Sequence, residues 1–213
     1  MGILDGGVRD IKIRDCGEEM VVLDDKIFVI DPLYFQWGFS KVPEIKLRSG
    51  VMEKLIEAQK ALNGMKFKIW DGFRTIETQG ILYEDYRNRL KSLHPEWNDE
   101  EIKKAVEIFV SFPSHDKLKP APHNTGGAVD LTIVDSNGME LNMGTPFDEF
   151  TERAYTNHFS DGEVFKNRML LKETMESVGF VNYEEEWWHF SFGDQMWAHM
   201  TGESEAIYGS IEL

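Results

Sequence analysis

Between Ser111 and Val134 the chain passes from a stretch that excludes regular structure into one that demands it. Three prolines (Pro113, Pro120, Pro122) remove backbone donors and the Gly126–Gly127 pair frees φ, so a shaped loop is expected over residues 111–127. Ala128-Val129-Asp130-Leu131-Thr132-Ile133-Val134 then reads as a strand. It is closed by Asp135-Ser136-Asn137-Gly138, with a return over residues 139–143 that predicts a hairpin. A hairpin strand pairs antiparallel, so the fold has to contain a sheet that accepts it.

The rest of the chain supplies partners and cover for that strand. Val51, Leu55, Ala58 and Leu62 recur at helical spacing, with Ser49 placed to cap the start and Gly64 just past the end. Met65-Lys66-Phe67-Lys68-Ile69 alternates apolar with basic, as a half-buried strand does, and runs through Trp70 into Asp71-Gly72-Phe73-Arg74. Helices are expected over residues 78–93 and from Asn98 to about Val110, where Asn98 and Glu101 have the form of a cap with its reciprocal acid. A further helix is expected over residues 163–178 with Gly179 as its stop, and residues 187–192 are aromatic enough for another strand. No repeat, low-complexity tract or linker divides the 213 residues. The chain therefore reads as one α+β domain over residues 1–213, a central antiparallel sheet flanked by helices.

Composition narrows the partners. A hydrophobic share of 41% with fourteen Phe and six Trp is enough to build a core. A formal charge of −15, with no basic stripe interleaved with aromatics, argues against nucleic acid and favours cations, either a divalent metal or a substrate carrying an amino group. The single cysteine, Cys16, excludes an internal disulfide framework and fits the cytoplasm; a periplasmic protein whose leader has been trimmed is the alternative. The start, Met1-Gly2-Ile3-Leu4-Asp5, lacks a basic region followed by an apolar stretch, and no run approaches the ~18 apolar residues of a membrane span. Oligomeric state is not legible.

Two short strings carry chemistry. In the first, His123 and Asp130 lie seven residues apart across the glycine pair. Both are zinc-type ligands, but along an unbroken strand they would face opposite ways, so the spacing works only with a bend at the glycines. In the second, Glu184-Glu185-Glu186-Trp187-Trp188-His189, an acid and an imidazole stand three apart. His189 suits a metal, and Glu186 suits proton transfer between a nucleophilic water and a leaving amine, with the two tryptophans walling off water and raising the pKa of the acid. Read singly, each string is also compatible with surface residues or a solvated acidic turn.

Together the strings, His-x-x-Gly-Gly-Ala-Val-Asp-Leu-Thr at His123 and Glu-Trp-Trp-His at Glu186, resemble the D-alanyl-D-alanine dipeptidase family over about residues 31–189. The resemblance implies the fold that zinc D,D-peptidases share with the hedgehog signalling domain. It also implies one zinc per chain held by His123, Asp130 and His189, with Glu186 as catalytic base. Asp71-Gly72-Phe73-Arg74 is similar to the family segment whose arginine steadies the developing oxyanion, which assigns Arg74 that role, worth on the order of 3 kcal/mol. Met143-Gly144-Thr145-Pro146-Phe147-Asp148 resembles the segment whose Asp receives the substrate ammonium, here Asp148. Asp31-Pro32-Leu33-Tyr34 resembles the segment whose tyrosine lines the pocket, here Tyr34.

The implied substrate is a small D,D-dipeptide, in wall-peptide recycling or in removal of the precursor that vancomycin-type antibiotics recognise. One departure bears on specificity: relatives often carry Ser two residues before the first His ligand, and this chain has Ala121, which forgoes a hydrogen bond of about 1 kcal/mol. His94, His115, His158 and His199 match no ligand position and read as surface or structural. Two competing readings are a zinc D,D-carboxypeptidase or endopeptidase acting on longer wall peptides, and a catalytically silent module that metal merely stabilises. The roughly forty residues between Arg74 and His115 hold enough helix to roof a small cavity, which favours the dipeptidase.

Overall fold

In the computed structural model, which describes residues 7–211, the expected strands over residues 66–71 and 128–134 and the 3.6-periodic helices form, while the expected strand over residues 187–192 is confined to His189–Ser191; the start at Met1–Asp5 lies outside the described residues. In chain order the elements are β1 (Lys12–Ile13), β2 (Met20–Val22), β3 (Val29–Ile30), α1 (Leu33–Gln36), β4 (Lys46–Arg48), α2 (Ser49–Lys60) and β5 (Lys66–Asp71). Next come α3 (Ile76–Leu93), α4 (Asp99–Phe109), β6 (Ala128–Val134), α5 (Gly162–Glu176), β7 (Val181–Asn182), β8 (His189–Ser191), α6 (Gln195–Thr201) and β9 (Glu205–Ala206).

The main sheet has the order β3-β5-β6-β8-β7. Its β5–β6, β6–β8 and β8–β7 pairs are antiparallel, as expected of the central sheet, and β3, which the sequence did not announce, adds an edge strand parallel to β5. The reason is the connection: β3 and β5 are joined through α1, β4 and α2, a long helical crossover that returns the chain in the same direction. Every residue of β6 is buried, so this central strand is covered on both faces. Val129, Leu131 and Ile133 enter the main core with Phe67 and Ile69 of β5, while Asp130 points to the other side.

The helix limits show which local signals ruled. Asn98 accepts from the backbone N–H groups of Glu100 and Glu101, and Glu101 returns a bond to the Asn98 N–H, completing the capping box read from the sequence. Ser49 does not cap α2; it is the first helical residue, and Arg48 occupies the cap position without a side-chain bond. Arg48 is used elsewhere, its buried guanidinium pairing with Asp15 at 2.6 Å and donating to the Thr125 carbonyl at 2.9 Å. The turn after β6 forms through Asp135, but its return contributes only a bridge at Glu140 and a bond from Leu141 N–H to the Ile133 carbonyl. Further back along β6 that edge belongs to β8, because Leu131 N–H donates to the Trp188 carbonyl. Among the described residues no helix is long and apolar enough to cross a membrane.

Candidate metal centre

Three adjacent strands and one loop build the site. Asp71, the last residue of β5, lies in register with Asp130 of β6, and Asp130 lies in register with His189 of β8. The ladder thus lines up three polar side chains across the sheet. His123 arrives from the preceding loop on a single 3-10 turn, Pro122–Thr125, ended by Gly126 at φ 74°. A Cβ at Gly127 would sit 2.4 Å from the Phe192 carbonyl oxygen, so only glycine lets the loop pass this close to the chain just beyond β8. This is the bend that the seven-residue spacing required.

The donor atoms converge. His123 Nε2 lies 3.1 Å from His189 Nδ1 and 3.3 Å from Asp130 Oδ2, and His189 Nδ1 lies 3.0 Å from Asp130 Oδ1. For the neutral imidazoles that a metal requires, the outer ring nitrogens select the tautomers. His123 Nδ1 is 2.7 Å from the Gly72 carbonyl, which only accepts, so Nδ1 carries the proton and Nε2 is bare. The Ser191 hydroxyl spends its proton on Asp194 Oδ2 at 2.7 Å and therefore accepts from His189 Nε2 at 3.4 Å, leaving His189 Nδ1 bare. Two bare nitrogens and a carboxylate facing one point form an acceptor cluster that a cation completes, and the three ligand atoms all lie within 4.8 Å of one another. Zinc bonds of ~2.0 Å in tetrahedral geometry give ligand separations of roughly 3.3 Å, close to those found, so the N,N,O set fits zinc.

The electrostatics agree. Burial disfavours charge on Asp130, but His123 and His189 outweigh it and hold its pKa well below the usual carboxylate range. Burial pushes the His189 pKa down against the pull of Asp130, which favours the neutral imidazole that a metal needs. Glu186 moves the opposite way, its pKa raised well above the ordinary value by burial, then by Asp130 and Asp148. Its Oε2 is 3.9 Å from His189 Nδ1. Trp187 and Trp188 lie behind it in the core, Trp187 against Trp70 and Trp188 against Phe147, rather than forming the wall imagined from sequence.

Arg74 stands beside this group. Its Nε donates to Asp71 at 2.8 Å, Nη1 to Gln79 at 3.0 Å, and Nη2 reaches Asp130 at 3.4 Å. Its cation lies 4.8 Å from the centre of the Tyr34 ring. Burial alone would lower its pKa, but Asp71, Tyr34 and Asp130 raise it, so it stays charged. The Tyr34 hydroxyl in turn donates to Asp148 Oδ1 at 3.0 Å. Asp148 adopts a left-handed φ of 59°, and burial pushes its carboxyl up to about 7. Tyr34, Arg74, Asp148 and Glu186 line one cavity of about 180 Å³, walled by Leu82 and Tyr86 of α3, Phe109 of α4, and Phe147. The helices between Arg74 and His115 thus form one side of it, as their length suggested.

The structure also adds residues that sequence reading passed over. Asp71 and Gln79 anchor Arg74, and Asn182 Nδ2 donates to the carbonyls of both Glu186 and His189, clamping the two ends of that string. Asp71 stood in a quoted motif and could have been found by its spacing from Arg74; Asn182 had no such signal. His115, His158 and His199 are exposed, and half-buried His94 stacks on Trp97, all away from the donor cluster.

A buried His-Asp-His donor set flanked by a carboxyl of raised pKa and a permanently charged arginine is the equipment of a metal-dependent hydrolase. The chain belongs to the D-Ala-D-Ala dipeptidase family, whose model matches residues 38–205. A D-alanyl-D-alanine dipeptidase of Synechocystis sp. is 30% identical over 95% of this chain and 95% of its own length. One from Escherichia coli is 32% identical over 61% of this chain and 56% of its own, and one from Enterococcus faecium is 29% identical over 67% and 71%.

Proposed function

We propose that this protein hydrolyses the peptide bond of D-alanyl-D-alanine, with one zinc held by His123, Asp130 and His189. Zinc, when bound, supplies the Lewis acidity that polarises the scissile carbonyl and makes water nucleophilic near neutral pH. Glu186 takes the proton from the attacking water and delivers it to the leaving amine; its raised pKa suits a group that must both accept and return a proton. Arg74, pre-oriented by Asp71 and Gln79, offers fixed donors and charge where negative charge develops on the carbonyl oxygen. Asp148, steadied by the Tyr34 hydroxyl, receives the substrate ammonium.

The observation that carries this reading is that Glu186, Arg74, Asp148 and Tyr34 meet in a single cavity of about 180 Å³ beside the donor cluster. That volume is below the ~300–1,000 Å³ of pockets for drug-sized ligands, which suits a dipeptide. The aromatic walls exclude water from the reacting groups. The exposed thiol of Cys16 supports a reducing compartment, the cytoplasm, as the place of work.

Release of D-alanine from D-Ala-D-Ala by purified protein, with and without a chelator and beside Glu186→Ala, tests the reading. Activity lost on chelation, restored by zinc and absent in the variant is expected. One observation favours a second reading, action on longer wall peptides: an adjoining cavity of about 290 Å³ shares Phe39 and Arg74. A pentapeptide ending in D-Ala-D-Ala, hydrolysed faster than the dipeptide, would establish that alternative. Zinc uptake without hydrolysis of either peptide would leave a metal-stabilised binding module.

A further inference from the structure

His123 and His189 are held from behind in different ways. The outer nitrogen of His123 donates directly to a backbone carbonyl, that of Gly72 at 2.7 Å, with the Asp71 carboxylate 3.4 Å away. Among the described residues no carbonyl takes that place at the outer nitrogen of His189. Its Nε2 instead meets the Ser191 hydroxyl at 3.4 Å, and Ser191 Oγ donates to Asp194 Oδ2 at 2.7 Å. All three side chains are at most 2% exposed. Asp194 is itself anchored, because its other oxygen accepts the Trp197 N–H at 2.8 Å as the cap of α6.

We propose that Ser191 and Asp194 form a hydrogen-bond relay that sets the tautomer and ring orientation of His189 for zinc. The proposal rests on the zinc reading above. A metal-bound imidazole commonly donates its other N–H to a carboxylate, carbonyl or water, and this donation fixes which nitrogen faces the metal and raises its basicity. Here a hydroxyl is interposed between ring and carboxylate. The serine has one proton to give, the aspartate takes it, and the serine lone pair is thereby committed to Nε2–H. His189 Nδ1 is left free toward Asp130 and His123. Ser191 and Asp194 touch neither substrate nor reacting atoms in this scheme; they are positioning residues. Their place in the chain follows from β8: Ser191 is two residues after His189 and so emerges on the same face of the strand, and Asp194 follows at the Gly193 turn, where φ is 74°.

The test is zinc affinity, measured by competition with a chromogenic chelator on the full chain, for wild type, Ser191→Ala, Asp194→Asn and the double variant. Asn at position 194 still caps α6, and Ala at position 191 leaves that cap untouched, so the two single variants interrupt the relay by different routes. Each is expected to weaken zinc binding about 10- to 100-fold, with the double variant little worse than either single one. The cobalt-loaded variants should also show altered visible absorption, a readout of ligand geometry that a merely structural role would not move. Folded variants that bind zinc within about two-fold of wild type would overturn the relay while leaving the zinc reading intact. Wild type that takes up no zinc would overturn both. If one single variant fails to fold, the other decides.

Discussion

Replacing Asp148 by Asn separates what this carboxyl does for binding from what it costs the fold. Burial, followed by the charges of Asp130 and Asp71, pushes it from an ordinary value of 3.8 to about 7, against the opposing Tyr34 hydroxyl and Arg74. A folded-state pKa above the unfolded one means that the native state retains the extra proton. The associated stability is therefore fully present below the unfolded value and is lost as pH rises through the folded one. A gap of roughly three units at 1.36 kcal/mol each sets a ceiling of about 4 kcal/mol. Asn cannot titrate, still accepts from Tyr34 and tolerates the left-handed φ of 59°. The metal-free variant should therefore gain on metal-free wild type by up to about 1.4 kcal/mol per pH unit between roughly pH 5 and 7, then level off. Urea denaturation in chelator over about pH 5 to 8 measures this. A stability difference that stays flat over that range would refute the burial argument. In the zinc-loaded enzyme the same substitution should raise KM for the dipeptide, by about 1.5–3 kcal/mol for a lost charged hydrogen bond, while zinc uptake persists.

Glu186→Gln should keep zinc, seen by metal analysis, and lose about 10²–10⁴-fold in kcat; retention of more than a tenth of wild-type kcat would remove Glu186 from proton transfer. Arg74→Ala should cost about 3–4 kcal/mol in kcat/KM and also lower the Tm, because it leaves Asp71 and Asp130 buried without their cation. Gly127→Ala should destabilise the fold by about 1–3 kcal/mol and weaken zinc binding, since its Cβ would meet the Phe192 carbonyl at 2.4 Å; unchanged thermal unfolding would show that the loop has room to move. Zinc at a hundred times its Kd should stabilise the chain by about 2.7 kcal/mol over the chelated form, read as a rise in Tm.

The chain order of the chemistry was open to reading because it is written in short range. Gly126 and Gly127 announced a bend between His123 and Asp130, the Asn98–Glu101 box marked a helix start, and the acid and imidazole at Glu186 and His189 stood three apart. Each of these depends on a few neighbouring residues, and backbone sterics or local hydrogen bonding enforce it. By the same token, Ser49 misled as a cap because Arg48, next to it, answers to Asp15 and Thr125, partners 33 and 77 residues away.

What only the tertiary structure decided is long-range pairing. The sequence cannot state that β5, β6 and β8 lie side by side in the register that sets Asp71, Asp130 and His189 in a row. Nor does it reveal that Asn182 clamps both ends of the Glu186–His189 turn, or that the tryptophans go to the core and leave the cavity to Tyr34, Phe147 and α3. Residue types and spacing determined which atoms can bind a metal and move a proton. Strand register and burial determined that they meet, that their protons are placed to leave bare donors, and that their pKa values separate, because those effects arise only when distant segments exclude water from one another.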